Sequence, residues 1–366
     1  MNLLITGCGG FIGSHLLERL LPDARHSIVG WDHDTTRIEH LLGHERLTYR
    51  GRDLFAVDSD AILEADVAAA DVVIHLAAIC NPSQYNTRPL GVIRSNFLDA
   101  MQVVDLCTTH NTWLIHVSTS EVYGRTLSSY VGDDDYRNPA LFEMHEDTTP
   151  LVLGPVHNQR WSYACAKQLS ERYIYGCHFE HGLPFSVIRP FNFFGPKMDF
   201  LPGIEGDGIP RVLACFLSAL LRGRPLQLVD GGKARRVVTG IDDAVDAFLL
   251  LLEQRESGVG QVFNIGNPAN EITMIELADR MRRVFADVVG DAGYRDHPME
   301  IVTGGDFYGP GYEDSDRRQP NIEKARRRLG WEPRIPLDTV LRQTVEFYVD
   351  KYGKSAVGTP VHATGA

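Results

Sequence analysis

Residues 3–13 read LLITGCGGFIG, and residues 14–21 continue as SHLLERLL. A short apolar run ends in a glycine-rich turn and passes into an amphipathic stretch, the pattern of a strand feeding a helix. Gly7, Gly10 and Gly13 fall at G-x-x-G-x-x-G. In a dinucleotide site Gly7 permits the tight turn, Gly10 lets the backbone approach a pyrophosphate, and Gly13 lets helix and strand pack closely. The helix N-terminus adds N–H donors and a partial positive charge. A glycine-rich turn of purely structural use reads the same way, so the neighbouring runs decide. The run 27–32, SIVGWD, closes on Asp32. A carboxylate there accepts the hydroxyls of an adenosine ribose and repels a 2′-phosphate, which predicts NAD over NADP. Asp53, after a third run at 47–50, is placed to meet the adenine, although a solvated turn aspartate has the same spacing.

The alternation continues outward. Residues 72–76, 113–118 and 185–189 read as further strands, and residues 95–110 and 163–181 as helices between them. Strand–helix alternation with crossovers of this length predicts an α/β fold, a Rossmann-type doubly wound parallel sheet. The pattern changes at a Pro/Gly-rich stretch, 190–210 (PFNFFGPKMDFLPGIEGDGIP). Helices are predicted beyond it at 211–221, near 243–254 and at 274–286, with short extended segments at 226–229, 237–239 and 262–265. These form a smaller mixed α/β lobe. The expected division gives 1–190 to the sheet domain, which also receives 237–265 and part of the C-terminal region. The lobe takes 191–236 and 266–350, and 352–366 (YGKSAVGTPVHATGA) is a flexible tail.

The chain has 366 residues, 43% apolar and 23% charged, ample for a large core and unlike a disordered chain. No apolar run approaches the ~20 residues of a membrane helix. The N-terminus shows no basic segment followed by a signal core, so the expectation is a cytoplasmic protein. A net charge of −12 disfavours nucleic acid as partner. The six cysteines, at 8, 80, 107, 165, 177 and 215, form no Cys-x-x-Cys pair or zinc spacing, which predicts a reducing compartment and no metal.

Tyr163 and Lys167 form Y-x-x-x-K within WSYACAKQLSER. On a helix, positions i and i+4 share a face, and an ammonium beside a phenol is expected to lower the phenol's pKa toward that of a general base. The run 118–124, STSEVYG, delivers Thr119, Ser120 and Glu121 beyond a strand's carboxyl end, where doubly wound sheets place their sites.

The glycine turn, STSEVYG and YACAK, in this order, resemble an extended short-chain dehydrogenase/reductase. Within that superfamily the chain resembles NAD-dependent enzymes acting on UDP-glucuronate: UDP-glucuronate decarboxylases, including the decarboxylase domain of the bacterial aminoarabinose pathway, and UDP-apiose/UDP-xylose synthases. The likeness runs from residue 3 to about 349. It is carried by LAAICNPSQYNTRP, QRWSYACAKQ, RPFN, MDFLPGI, LVDGGKARR and FYGPGYEDSDRR. The resemblance implies a Thr119/Tyr163/Lys167 triad and a Glu121/Arg318 acid/base pair. It implies NAD contacts from Phe11, Ile12, Leu54 and Ala77 beside the glycines and the two aspartates. It places Tyr85, Arg160, Asn192, Arg211, Lys233, Arg236 and Tyr312 around the UDP-sugar, and it implies a homodimer through the helices 95–110 and 163–181. Read alone, Arg318 in EDSDRR and Arg236 in KARR belong to solvated charge runs, and Arg160 is an ordinary cation at a helix start.

The expected chemistry oxidises C4 of UDP-glucuronate. The C4 ketone then lets the C5 carboxylate leave as carbon dioxide. Release of the ketone, its reduction to UDP-xylose, and ring contraction to UDP-apiose branch from there. Cys80 stands where the apiose/xylose synthases carry an active-site thiol, but Ser120 replaces the second cysteine of their STCEVYG motif. Cys80 also reads as an apolar filler. A 4-epimerase or dehydratase on another nucleotide sugar, and a non-enzymatic NAD-binding relative, are the alternatives.

Overall fold

The computed structural model describes residues 1–352 apart from 55, 57–58, 132–136, 206–207 and 310–311. The expected tail therefore lies, beyond Tyr352, outside the described residues. Seven strands form one parallel sheet: β1 (Asn2–Thr6), β2 (Ser27–Asp32), β3 (Leu47–Gly51), β4 (Val72–His75), β5 (Trp113–Val117), β6 (Phe185–Pro190) and β7 (Gln261–Ile265). Their order across the sheet is β7-β6-β5-β4-β1-β2-β3, with every neighbouring pair parallel. This is the doubly wound architecture that the alternation predicts. β4 and β5 are buried at every position, as strands covered on both faces must be. The winding reverses direction between β1 and β4, and a doubly wound sheet opens a crevice at such a point.

Helices cover both faces. Phe11–Leu20 and Ile241–Glu253 supply one apolar layer, with Leu16, Leu17, Val245 and Phe248 fully buried against the sheet. Helices Asp60–Ala69, Asp99–His110 and Ser162–His181 cover the other with Val67, Val103, Val104 and Ile174. The helix expected at 95–110 is interrupted. Pro89–Ile93 runs into a π-helical turn, Arg94–Leu98, before the regular helix begins. The buried Asn96 side chain donates to the carbonyls of Val92 and Ile79, which ties the turn to the loop after β4.

The second lobe has its own core, built on helices Val212–Leu221, Met274–Val289 and Leu337–Tyr352. Thr273 and Glu276 form a capping box at the start of Met274–Val289, and Gly290 (φ 76°) ends it in the left-handed conformation. The segment expected at 237–239 divides. Arg235–Val237 joins a four-stranded sheet with Glu271–Thr273, Arg317–Pro320 and Glu143–Met144, whereas Thr239–Gly240 pairs with Phe193–Phe194. In the four-stranded sheet Arg235 lies opposite Arg317, and Arg236 opposite Arg318.

Candidate active site

The glycine turn meets the requirements of a dinucleotide. Gly7 has φ 72°, and a Cβ there would lie 2.7 Å from the Ala77 amide nitrogen. A Cβ on Gly13 would meet the Gly7 carbonyl oxygen at 2.4 Å. Gly10 is the N-cap of Phe11–Leu20 and brings no capping side chain, and the first turn holds no acidic residue. The free first-turn amides at Phe11 and Ile12 can therefore receive an anion. Asp32 accepts hydrogen bonds from the amides of Gly9 (2.8 Å) and Asp34 (3.0 Å). A carboxylate has about four lone-pair sites, so capacity remains for ribose hydroxyls. Asp53 is exposed beyond β3, while Leu54 is buried. The Ala77 amide reaches the Thr6 hydroxyl at 3.4 Å.

At the carboxyl end of β5, Thr119 Oγ1 accepts from the Glu121 amide at 3.2 Å. Tyr163 is hydrogen-bonded with Thr119, and its ring stacks on Tyr85 (5.1 Å between centroids, 9° between planes). The Tyr85 hydroxyl donates to the Cys80 carbonyl at 3.1 Å. Lys167 Nζ donates to the Val117 carbonyl at 2.9 Å. The expected depression of the phenol does not arise from the protein alone. Burial raises the Tyr163 pKa well above its ordinary value, and Cys80 and Glu121 raise it further. The Thr119 hydrogen bond and Arg211 pull the other way without offsetting this. Burial also pushes the Lys167 ammonium down to about 8. Cys80 is open to solvent, yet it sits deep enough between protein walls that burial raises its thiol pKa. Ser120 is buried.

Arg160, Asn192, Arg211, Lys233, Arg236 and Tyr312 all line one cavity of about 460 Å³, together with Glu121 and Arg318. Tyr85, Cys80, Ser120 and the Thr119/Tyr163/Lys167 group are not in its wall. Arg160 Nη1 donates to Glu121 Oε2 at 2.6 Å, and Arg160 Nη2 lies 3.7 Å from Asp314. Arg236 pairs with Asp314 at 2.5 Å, and the Tyr312 hydroxyl donates to the same carboxylate at 3.1 Å. Arg211 forks onto Asp199, and its guanidinium lies 5.6 Å from the Phe11 ring. Asn192 adopts φ 43° and donates to the Val237 carbonyl.

The sheet register explains how two charge runs deliver cavity residues. Side chains alternate across a strand. Arg235 and Arg317 turn to one face, where Glu271 accepts a bidentate pair from Arg317. Arg236 and Arg318 line the cavity on the other. Two guanidinium groups directly opposite each other repel. Burial, with Arg236 next, pushes Arg318 down to about 10, against Glu121 and Asp314. Arg318 is 4% exposed and makes no ion pair among the described residues.

Several residues at the site have no sequence signal. Asp314 is one: Glu313, beside it, turns outward to the Trp161 indole, whereas Asp314 enters the cavity. Glu171 accepts from Ser118 and takes both arms of Arg189, which also donates to the Tyr123 hydroxyl. This network braces the strand-end loop that carries Thr119 and Glu121.

Residues 3–266 match the family described as NAD dependent epimerase/dehydratase. The chain is 45% identical over 371 residues to UDP-D-apiose/UDP-D-xylose synthase 1 of Arabidopsis thaliana, covering 99% of this chain and 95% of that protein. It is 45% identical over 359 residues to the UDP-D-apiose/UDP-D-xylose synthase of Oryza sativa subsp. japonica (96% and 90%). Among solved structures, the PbgP3 protein of Burkholderia pseudomallei superposes with a TM-score of 0.80 at 32% identity, over 98% of this chain and 99% of that one. The UDP-glucuronic acid 4-epimerase of Bacillus cereus, solved with UDP-glucuronic acid and NAD, shares the fold (TM-score 0.76, 23% identity, 96% and 100% covered).

Proposed function

The chain belongs to the NAD dependent epimerase/dehydratase family, and on that premise we propose that it is an NAD-dependent decarboxylase of UDP-glucuronate, a lyase whose C4 ketone leads to UDP-4-keto-pentose, UDP-xylose and UDP-apiose. The observation that carries this reading is Arg318, a buried guanidinium without an ion-pair partner among the described residues, in one cavity with Glu121. An unpaired buried charge is costly, and an anionic group on the sugar relieves it.

When bound, NAD supplies a hydride acceptor whose ring carries positive charge, as the raised Tyr163 phenol requires. Tyr163 takes the proton of the C4 hydroxyl, and Thr119 orients that hydroxyl. Lys167 contributes a nearby positive charge and holds the end of β5 through Val117. Arg318 grips the carboxylate. Carbon dioxide leaves with its bonding electrons remaining on the sugar as an enolate, and Glu121 relays a proton drawn from solvent to C5. Residues 1–190 with 237–265 hold the dinucleotide, and 191–236 with 266–350 hold the UDP-sugar. The enzyme works as a homodimer through the helices at 95–110 and 163–181, a reading supported by the exposed Leu90, Leu98, Leu169 and Phe179. A cytoplasmic setting suits its six free cysteines. Mass spectrometry and NMR of the products from UDP-glucuronate plus NAD test the function. Retention of the carboxyl carbon would sink it in favour of a 4-epimerase.

Two further outcomes are expected. Asp32, held at the ribose position by the Gly9 and Asp34 amides, should give NAD an advantage of about a hundredfold in kcat/KM over NADP, the scale of a close like-charge contact. Equal use of the two would remove Asp32 from the ribose. The raised pKa keeps the Cys80 thiol protonated at neutral pH, so it can act as an acid during ring contraction. Cys80→Ala should retain carbon dioxide release and lose apiose, and Ser120→Cys should raise the apiose fraction. Identical product ratios in wild type and both variants, read by NMR, dispose of the thiol's part.

A further inference from the structure

The charges of the cavity do not add up to a site ready for its substrate. Five cations line it: Arg160, Arg211, Lys233, Arg236 and Arg318. Three are already engaged. Arg160 lies between Glu121 and Asp314, Arg211 is forked onto Asp199, and Arg236 is held by Asp314. Of these five, the buried Arg318 and the exposed Lys233 make no ion pair among the described residues. Asp230 and Asp316, exposed at the rim, add further negative charge to the lining. UDP-glucuronate brings three negative charges, two on the diphosphate and one on the sugar. Two free cations cannot match them, and with Arg318 facing the carboxylate, Lys233 alone would face the diphosphate.

Asp314 is the one resident carboxylate whose release supplies what is missing. It touches Arg236 and Tyr312 and approaches Arg160, so it is the common partner of three groups in the wall. Among the described residues Arg236 has no other carboxylate partner, and its side chain otherwise donates to the Arg235 carbonyl. Burial opposes ionisation of Asp314, but Arg236, then Arg160 and Arg318, hold its pKa well below the usual carboxylate range, so it is a full negative charge at any working pH.

We propose that Asp314 is an internal counter-ion, which yields Arg236 to the diphosphate of an entering nucleotide sugar and takes it back as product leaves. This rests on the UDP-sugar reading of the cavity. Asp314 is thus a positioning residue that limits ground-state affinity. It keeps Arg236 extended and neutralised in the empty site, and it competes with the product's diphosphate for the same guanidinium. A purely structural Asp314 would make binding worse when altered, whereas a competing one makes it better.

The test is direct binding of UDP, with uridine as the uncharged control, followed by calorimetry. Asp314→Asn keeps the size and the hydrogen bond from Tyr312 but removes the charge. It is expected to tighten UDP about tenfold, the scale of a close charge pair, and to leave uridine unchanged. Asp314→Ala should shift UDP in the same direction, so the result does not depend on one variant folding. Arg236→Gln in the Asp314→Asn background should abolish the gain, because the freed guanidinium is its source. In turnover, Asp314→Asn should lower KM for UDP-glucuronate and lower kcat through slower product release. UDP affinity unchanged or weakened in both Asp314 variants, with wild type binding normally, overturns the inference and leaves the substrate reading intact. A wild type that does not bind UDP overturns both.

Discussion

Tyr163→Phe is expected to reduce NADH formation from UDP-glucuronate by about 10²–10⁴-fold, the span typical of a lost acid/base group. The substitution removes only the hydroxyl. The ring keeps its stack on Tyr85, and the helix Ser162–His181 is untouched, so stability should change little. Binding of UDP-glucuronate should also change little, since the cavity proposed for it is lined by Arg160, Arg236 and Arg318 and not by Tyr163. The phenol is buried and its pKa is raised, so Lys167 alone does not make it a base. Its activation is tied to the positive charge that the oxidised cofactor brings. Ionisation of Tyr163, which readies it to take the C4 proton, should therefore be seen only with NAD bound: ultraviolet difference spectra should show no phenolate in the apo-protein near neutral pH. Wild-type turnover in Tyr163→Phe would remove it from the chemistry.

What the sequence shows and hides follows from which interactions are local. The strand–turn–helix at residues 2–20 is legible because each glycine answers a steric demand made within a few residues. β4 and β5 are legible because strands buried on both faces leave continuous apolar runs. The Tyr163/Lys167 pair shares a helix face by spacing alone. The burial that raises the phenol, and the Cys80 and Glu121 groups that raise it further, come from other elements, so the spacing does not disclose its pKa. The lobe is harder to read. Its sheet is made of strands of two to four residues, too short for alternation to declare itself, and the partners come from distant parts of the chain. KARR and EDSDRR therefore look like solvated charge. Only the parallel pairing of residues 235–236 with 317–318 sends one arginine of each run to Glu271 and the other into the cavity. The likeness to known enzymes supplied Arg236 and Arg318, but Asp314, which pairs with Arg236, had no signal in an acidic run whose preceding residue, Glu313, turns to the Trp161 indole instead.

Arg318→Gln is the second large expected effect. Glutamine keeps a planar hydrogen-bonding end and loses the charge, so the substitution asks only whether the charge matters. Arg318 is buried, lies opposite Arg236 in the sheet, and is pushed down to about 10 chiefly by burial and then by that neighbour. It remains a cation at neutral pH, but an expensive one, and removing it should leave the protein as stable as before or more so. A residue retained for stability would show the reverse. Carbon dioxide release should fall by about 10²–10³-fold, as when one preorganised donor to a developing charge is lost. Two contributions add here: the carboxylate loses its partner in the ground state, raising KM, and the enolate left by carbon dioxide loses a cation, lowering kcat. Arg318→Lys should recover part of the loss, since it restores the charge without the two-pronged fork. UDP-glucose supplies the control, because a neutral sugar has nothing for Arg318 to pair with and its binding should be unchanged or slightly improved. If carbon dioxide release in Arg318→Gln matches wild type, the carboxylate lies elsewhere in the cavity, with Lys233 as the other uncommitted cation to examine.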